Sequence, residues 1–168
     1  MKENEELAEQ KKIKLLLGLI ATLLAIIVCM IIIFIRSNHS MAQAEKEATE
    51  IAKEYANLET VDDFYWFTRK ETSFSVVGRD DKGNELIVLI PKSGDSVKVL
   101  NQKDGVSENQ IRQVMVQDYQ QSNIKKVNLG LYDGKATWEV VAENPDKSLN
   151  YYLLSFENAE EINVIKNI

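Results

Sequence analysis

The chain has 168 residues, 20 of them basic and 26 acidic, for a net charge of −6, with a single histidine and a single cysteine. That acidic balance gives no electrostatic footprint for nucleic acid or another polyanion. One histidine and one cysteine leave no internal disulfide and no zinc-type spacing, and they remove the parts that most nucleophilic and metal mechanisms need.

Residues 1–14 form a charged tail, followed by LLLGLIATLLAIIVCMIIIFI, the uncharged run from Leu15 to Ile35. At about 1.5 Å per residue this run makes a helix of about 31 Å, the hydrocarbon thickness of a bilayer. Fifteen of its residues are Leu, Ile, Val or Phe, which at roughly 0.3–0.6 kcal/mol each favour insertion by about 5–9 kcal/mol. A soluble core helix would keep a polar stripe, and this run has none. It is therefore predicted to span the lipid bilayer from Leu15 to Ile35. Lys2, Lys11, Lys12 and Lys14 precede it, whereas only Arg36 follows within ten positions. The excess of basic residues places the N-terminus in the cytoplasm and the C-terminal part outside the cell membrane. Ala42-Gln43-Ala44 offers an A-x-A cleavage pattern, but the apolar core is longer than that of a signal peptide and ends well before it, so an uncleaved anchor is expected rather than cleavage near Ala44. Cys29 follows Ile26, Ile27 and Val28 instead of the small residues that precede a lipidated cysteine, and it reads as filling the helix. Gly18, Ala21 and Ala25 form a short small-residue stripe.

Residues 36–40 make a polar joint that carries His39, read as an ordinary interfacial residue. Beyond it, Met41, Ala44, Ala48, Ile51, Tyr55 and Leu58 recur at helical spacing. Strand character follows at 64–67, 73–77, 85–90 and 97–100, with the turn Asp80-Asp81-Lys82-Gly83-Asn84 between the second and third. Ser107 with Gln110 fits a capping box that opens a second helix, whose apolar side is Ile111, Val114, Met115 and Tyr119. Strands are then predicted at 127–131, 137–141, 150–156 and 162–165.

The order of elements repeats. A shift of 64 residues places Phe74 on Trp138, Val76 and Val77 on Val140 and Val141, and Leu89 and Ile90 on Leu153 and Leu154; one inserted residue then carries Val97 and Val99 onto Ile162 and Val164. The predicted fold class is α+β: one transmembrane helix, then two tandem lobes at 41–104 and 105–168, each a helix packed on an antiparallel sheet. A lobe of this size is marginal alone, and Gly105 and Val106 leave almost no linker, so a fixed pair is expected.

Phe64-Tyr65-Trp66-Phe67 is the segment most suggestive of recognition. Alternation in a strand turns Phe64 and Trp66 toward the helix and Tyr65 and Phe67 the other way. Tyr65 and Phe67 are thus candidates either for packing between lobes or for a partner surface. The acidic pairs Asp62-Asp63, Asp80-Asp81 and Glu160-Glu161 fall at turns or strand starts, where solvated carboxylates are routine, and they are not read as a glycosidase pair. Neither a phosphate-cradling glycine loop nor a nucleophile elbow is present. No catalytic, cofactor-binding or metal-binding residue is assigned.

The short tail, the single span, the stalk AEKEATEIAKEYANLETV, the hairpin TSFSVVGRDDKGNELIVLIP and its second copy ATWEVVAENPDKSLNYYLLSF together resemble the TseB-like (YpmB-like) cell-wall elongation regulators of Gram-positive bacteria. The resemblance covers the whole chain and rests on architecture and hydrophobic pattern. It implies a bitopic membrane protein with two cystatin-like or PepSY-like lobes outside the cell, a non-enzymatic partner of a penicillin-binding protein in peptidoglycan synthesis. A second reading is an extracellular module of this shape that inhibits a surface protease or hydrolase or senses an envelope ligand. Cystatins inhibit with a Gln-x-Val-x-Gly hairpin, and this chain has a charged turn at Asp80 to Asn84 instead.

Overall fold

The structure, a computed structural model, describes residues 11–34 and 40–168. Expectations for residues 1–10 and 35–39, including the end of the span at Ile35 and the reading of His39, lie outside them. The chain divides into two compact units, Met1–Ala44 and Glu45–Ile168.

The first unit is built from helix α1 (Lys2–Ala56), which also supplies the first residues of the second unit. Within α1, Lys11–Phe34 is long and apolar enough to cross a membrane, and none of it is buried by protein. A helix satisfies its backbone polar groups internally, which lipid cannot do for it. Thr22 follows the same rule: its Oγ1 donates to the Gly18 carbonyl at 2.9 Å. This segment fits a single-pass membrane anchor.

In the second unit α1 ends at Ala56, where Asn57 adopts a φ of 49°, a left-handed conformation that asparagine tolerates. Leu58, expected as the last apolar residue of the helix, instead opens strand β1 (Leu58–Thr68). Strands β2 (Thr72–Asp80), β3 (Glu85–Pro91) and β4 (Lys98–Asn101) complete an antiparallel sheet in the order β1-β2-β3-β4. A short 3-10 turn at Gln102–Asp104 leads to α2 (Glu108–Gln117). The second sheet follows as β5 (Ile124–Tyr132), β6 (Lys135–Glu143), β7 (Leu149–Ser155) and β8 (Glu161–Ile165), again in sequential order.

Local chemistry fixes the joints. Ser107 N donates to Gln110 Oε1 at 2.8 Å while Gln110 N donates to Ser107 Oγ at 3.4 Å, a reciprocal cap on α2. In the β2–β3 turn, Asp80 Oδ1 accepts from Lys82 N at 2.9 Å and Asn84 N at 2.8 Å, and Gly83 takes a φ of 79°. The Asn84 side chain and these backbone donors hold the Asp80 carboxyl below its usual range.

The repeat is visible in the strand register. Phe74 faces Ile90 in the first sheet, and Trp138 faces Leu154 in the second; Val88 faces Val99, and Tyr152 faces Val164. The extra residue enters at a register shift between Leu153 and Leu154. In both copies the helix covers the same face of its sheet. The stalk helix buries Ala48, Ala52 and Ala56 against Leu58, Val76, Val88 and Ile90, with Ile51, Phe64 and Phe74 alongside. Helix α2 buries Ile111 and Met115 with Val127, Leu129, Trp138, Val140, Tyr152 and Leu154.

The buried stripe of α1 is in part the one expected, since Ala48 and Ile51 pack on the sheet. Met41 and Tyr55 are exposed, and the contact row is three alanines four residues apart. Methyl side chains let the helix axis approach the sheet closely, so size rather than hydrophobicity selects the face. Ala52 has no exposed surface. Ala52→Leu is expected to destabilise the second unit by about 1–3 kcal/mol through overpacking, read as a lower denaturant midpoint of the full chain. An unchanged midpoint would mean that the helix is not seated on the sheet.

Candidate functional site

The first sheet has a second face, turned away from α1, that carries Tyr65, Phe67, Ser73, Ser75, Ile87 and Leu89. All six are buried, and what buries them is the second lobe, whose strand β5 meets this face by its edge. β5 is the outermost strand of its sheet, so alternate residues along it point backbone groups away from their own sheet. Two serines receive them: Ser75 Oγ donates to the Leu129 carbonyl at 2.8 Å, and Leu131 N donates to Ser73 Oγ at 2.9 Å. Asn128 Nδ2 adds a bond of 2.9 Å to the carbonyl of Trp66.

Close approach has a steric condition. At Gly130 an added Cβ would lie 2.2 Å from Cβ of Phe67, so only glycine lets β5 pass over that ring. Phe67 is completely buried there. Tyr65 lies edge-on to Trp138, with ring centroids 5.8 Å apart, and its hydroxyl donates to Glu108 Oε2 at 2.7 Å. Burial, and then the Glu108 carboxylate, hold the Tyr65 phenol protonated far above its ordinary range. The β1–β2 turn grips the other side of the second sheet. Arg69 pairs with the buried Glu139 and lies 4.9 Å from the centre of the Tyr151 ring, while Lys70 Nζ bonds to Asp133 at 2.9 Å and 3.0 Å and stands over Tyr132.

Clefts flank this seam. One of about 370 Å³ brings together Asp62, Asp63, Tyr65, Arg79, Glu85 and Glu108. Gln102 Nε2, also at this cleft, is buried without a hydrogen-bond partner among the described residues. Another of about 480 Å³ lies between β4 and the start of β8, over Leu89, Leu100, Ala136, Phe156 and Ile162. Among the described residues no group of three or more His, Cys, Asp or Glu could hold a metal ion.

The acidic pairs part company here. Asp80 serves its own turn. Asp63, read as a solvated carboxylate, faces Glu108 across the seam, and its carboxyl is raised above the ordinary range by partial burial, then by Glu108 and Asp62. The residues missed by sequence reasoning are Ser73, Ser75, Asn128 and Gly130. Their signal was the alternation of Ser73 and Ser75 with Phe74 and Val76, which reads equally well as a solvated face.

Four substitutions test this seam. Phe67→Ala should cost about 3–5 kcal/mol, and Ser75→Ala about 1–3 kcal/mol because the Leu129 carbonyl loses its donor; chemical denaturation of the full chain measures both. Gly130→Ala should likewise destabilise, through contact with Phe67. For Asp63, a folded-state pKa above the unfolded one means that stability falls as pH rises through that window. Asp63→Asn should therefore raise Tm at neutral pH, and the gain should vanish near about pH 3, where the carboxyl is protonated in both states.

Comparison with known proteins bears on this arrangement. The family model described as the cell wall elongation regulator TseB-like domain matches residues 47–91, which run from the alanine stripe of α1 to the end of β3. The chain is 30% identical over 139 residues to the probable cell wall elongation regulator TseB of Bacillus subtilis (strain 168), covering 79% of this chain and 84% of that protein. The solved YpmB protein from Bacillus subtilis superposes with a TM-score of 0.63 at 25% identity, over 72% of this chain and 95% of that one. With 30% identity over 84% of that regulator's length, the chain belongs to the TseB-like family of cell wall elongation regulators.

Proposed function

We propose that this protein is a membrane-anchored, non-catalytic regulator of cell wall elongation that acts outside the cell by binding a penicillin-binding protein. The observation that carries this reading is the likeness to the Bacillus subtilis regulator over 84% of that protein's length. The geometry supports it in two ways. An apolar helix at Lys11–Phe34 suits a single-pass anchor, with the basic residues on its N-terminal side favouring a cytoplasmic tail. Several charged residues of the second unit are held in turns or ion pairs, among them Asp80, Arg69, Lys70, Arg79 and Glu143, an arrangement that suits binding rather than bond-making.

In this reading the division of labour is physical. The anchor confines the lobes to the same membrane as a bitopic synthase, which raises effective concentration and lets a weak contact become populated. The lobes, at 41–104 and 105–168, then act as one rigid body. Tyr65 and Phe67 belong to its internal seam: their burial in the second lobe supports packing over direct partner contact.

Photo-crosslinking in living cells, with identification of the captured protein, tests the proposal. Recovery of peptidoglycan synthases is the expected result. Exclusive recovery of a protease or an autolysin would replace it with the inhibitor reading.

A further inference from the structure

Strand β4 (Lys98–Asn101) pairs with β3 on one side and, among the described residues, carries no hydrogen bond on the other. In an antiparallel sheet such an edge presents outward N–H and C=O groups that template another strand. Charged side chains, lysine above all, are one of the devices that blunt such edges. Here Lys98 reaches instead to the Gly134 carbonyl in the β5–β6 turn, at 2.5 Å, which draws the charge away from the edge. The neighbouring Val99 is 42% exposed on the opposite face.

Beside this edge lies the cleft of about 480 Å³. Its floor is apolar, and its rim holds Asp104, Glu157, Glu160 and Glu161 together with Lys98 and Lys135. Asp104, Glu157 and Glu160 enter no salt bridge among the described residues, and four carboxylates against two lysines leave the rim net negative. Glu157 and Glu160 sit in the β7–β8 turn, held by backbone bonds to Ser155 and Asn158 rather than by their own carboxylates.

We propose that β4 and this cleft form a docking groove for an extended basic segment of a protein partner, which adds as a fifth strand to the first sheet. Strand alternation dictates its pattern. Residues on the cleft side would be Lys or Arg, their aliphatic stems lying on Leu100 and Ile162 and their charges reaching Glu157 and Glu160. Residues on the other side would be apolar and cover Val99. Backbone bonds to β4 give affinity, and the acidic rim selects the sign of charge. The inference rests on the regulatory reading only in expecting a protein partner.

The test uses the full chain in lipid nanodiscs and a dye-labelled, end-capped octapeptide that alternates Lys and Val. Fluorescence anisotropy should show saturable binding, weakened about tenfold or more by the double substitution E157K/E160K, and no binding of the octapeptide that alternates Glu and Val. Amide hydrogen exchange of the unsubstituted chain should slow at residues 98–101 when the basic peptide is added, a readout that does not depend on any variant folding. Absence of saturable binding, equal binding of the acidic peptide, indifference to E157K/E160K in a chain of unchanged Tm, or protection at β8 in place of β4 would each overturn the groove. Capture of a synthase by an E157K/E160K chain that no longer binds the peptide would overturn it as the partner surface while leaving the regulatory reading intact.

Discussion

The edge of a β-sheet carries backbone donors and acceptors that need partners, and in this protein one such edge is buried inside the molecule. Strand β5 stands on the inner face of the first sheet, and its exposed backbone is received by Ser73 and Ser75. Burying an unpaired peptide group costs about 1–3 kcal/mol, so the two hydroxyls are a condition for the lobes meeting at all. Gly130 is the second condition, because any side chain there would strike Phe67. With both met, Tyr65, Ile87 and Leu89 of the first lobe enter the same apolar cluster as Ile111, Met115 and Trp138 of the second. Two lobes, each marginal by size, become one folding unit.

This joint gives the repeat its functional sense. A duplicated helix and sheet could have produced two independent domains on a flexible tether, each presenting the same surface. Instead the copies are inequivalent: the first sheet is covered on one face by a helix and on the other by the second lobe, while the second sheet offers one of its edges as the joint. The turn carrying Arg69 and Lys70 clasps the far side through Glu139, Tyr151 and Asp133. Among the surfaces that remain open are the clefts beside the seam and the outer edges of β4 and β8.

Much of the fold was legible in the sequence because its signals were local or periodic. The apolar run, the Ser107 and Gln110 cap, the Asp80 to Asn84 turn and the 64-residue repeat each follow from short-range chemistry, and the inserted residue reappears as the register shift in β7–β8. Ala48 and Ile51 of the stalk stripe do pack on the sheet, but Tyr55 was misjudged because it fits a helical period as well as an alanine does. Phe64 and Tyr65 were separable by alternation. The seam was harder, since a buried serine whose partner is a backbone group about fifty residues away looks no different in sequence from a serine facing water. Asp63 misled for the same reason, as the carboxylate it faces, Glu108, lies in the other lobe.

Native-state hydrogen exchange of the full chain tests the central claim most directly, which is that the two lobes form one body through the β5 seam. Amides in the middle of β2 and in the middle of β6 should exchange with the same free energy of opening and the same denaturant dependence. Exchange from β2 at a distinctly lower free energy than from β6, with the second sheet still protected, would show two independent lobes and contradict the account.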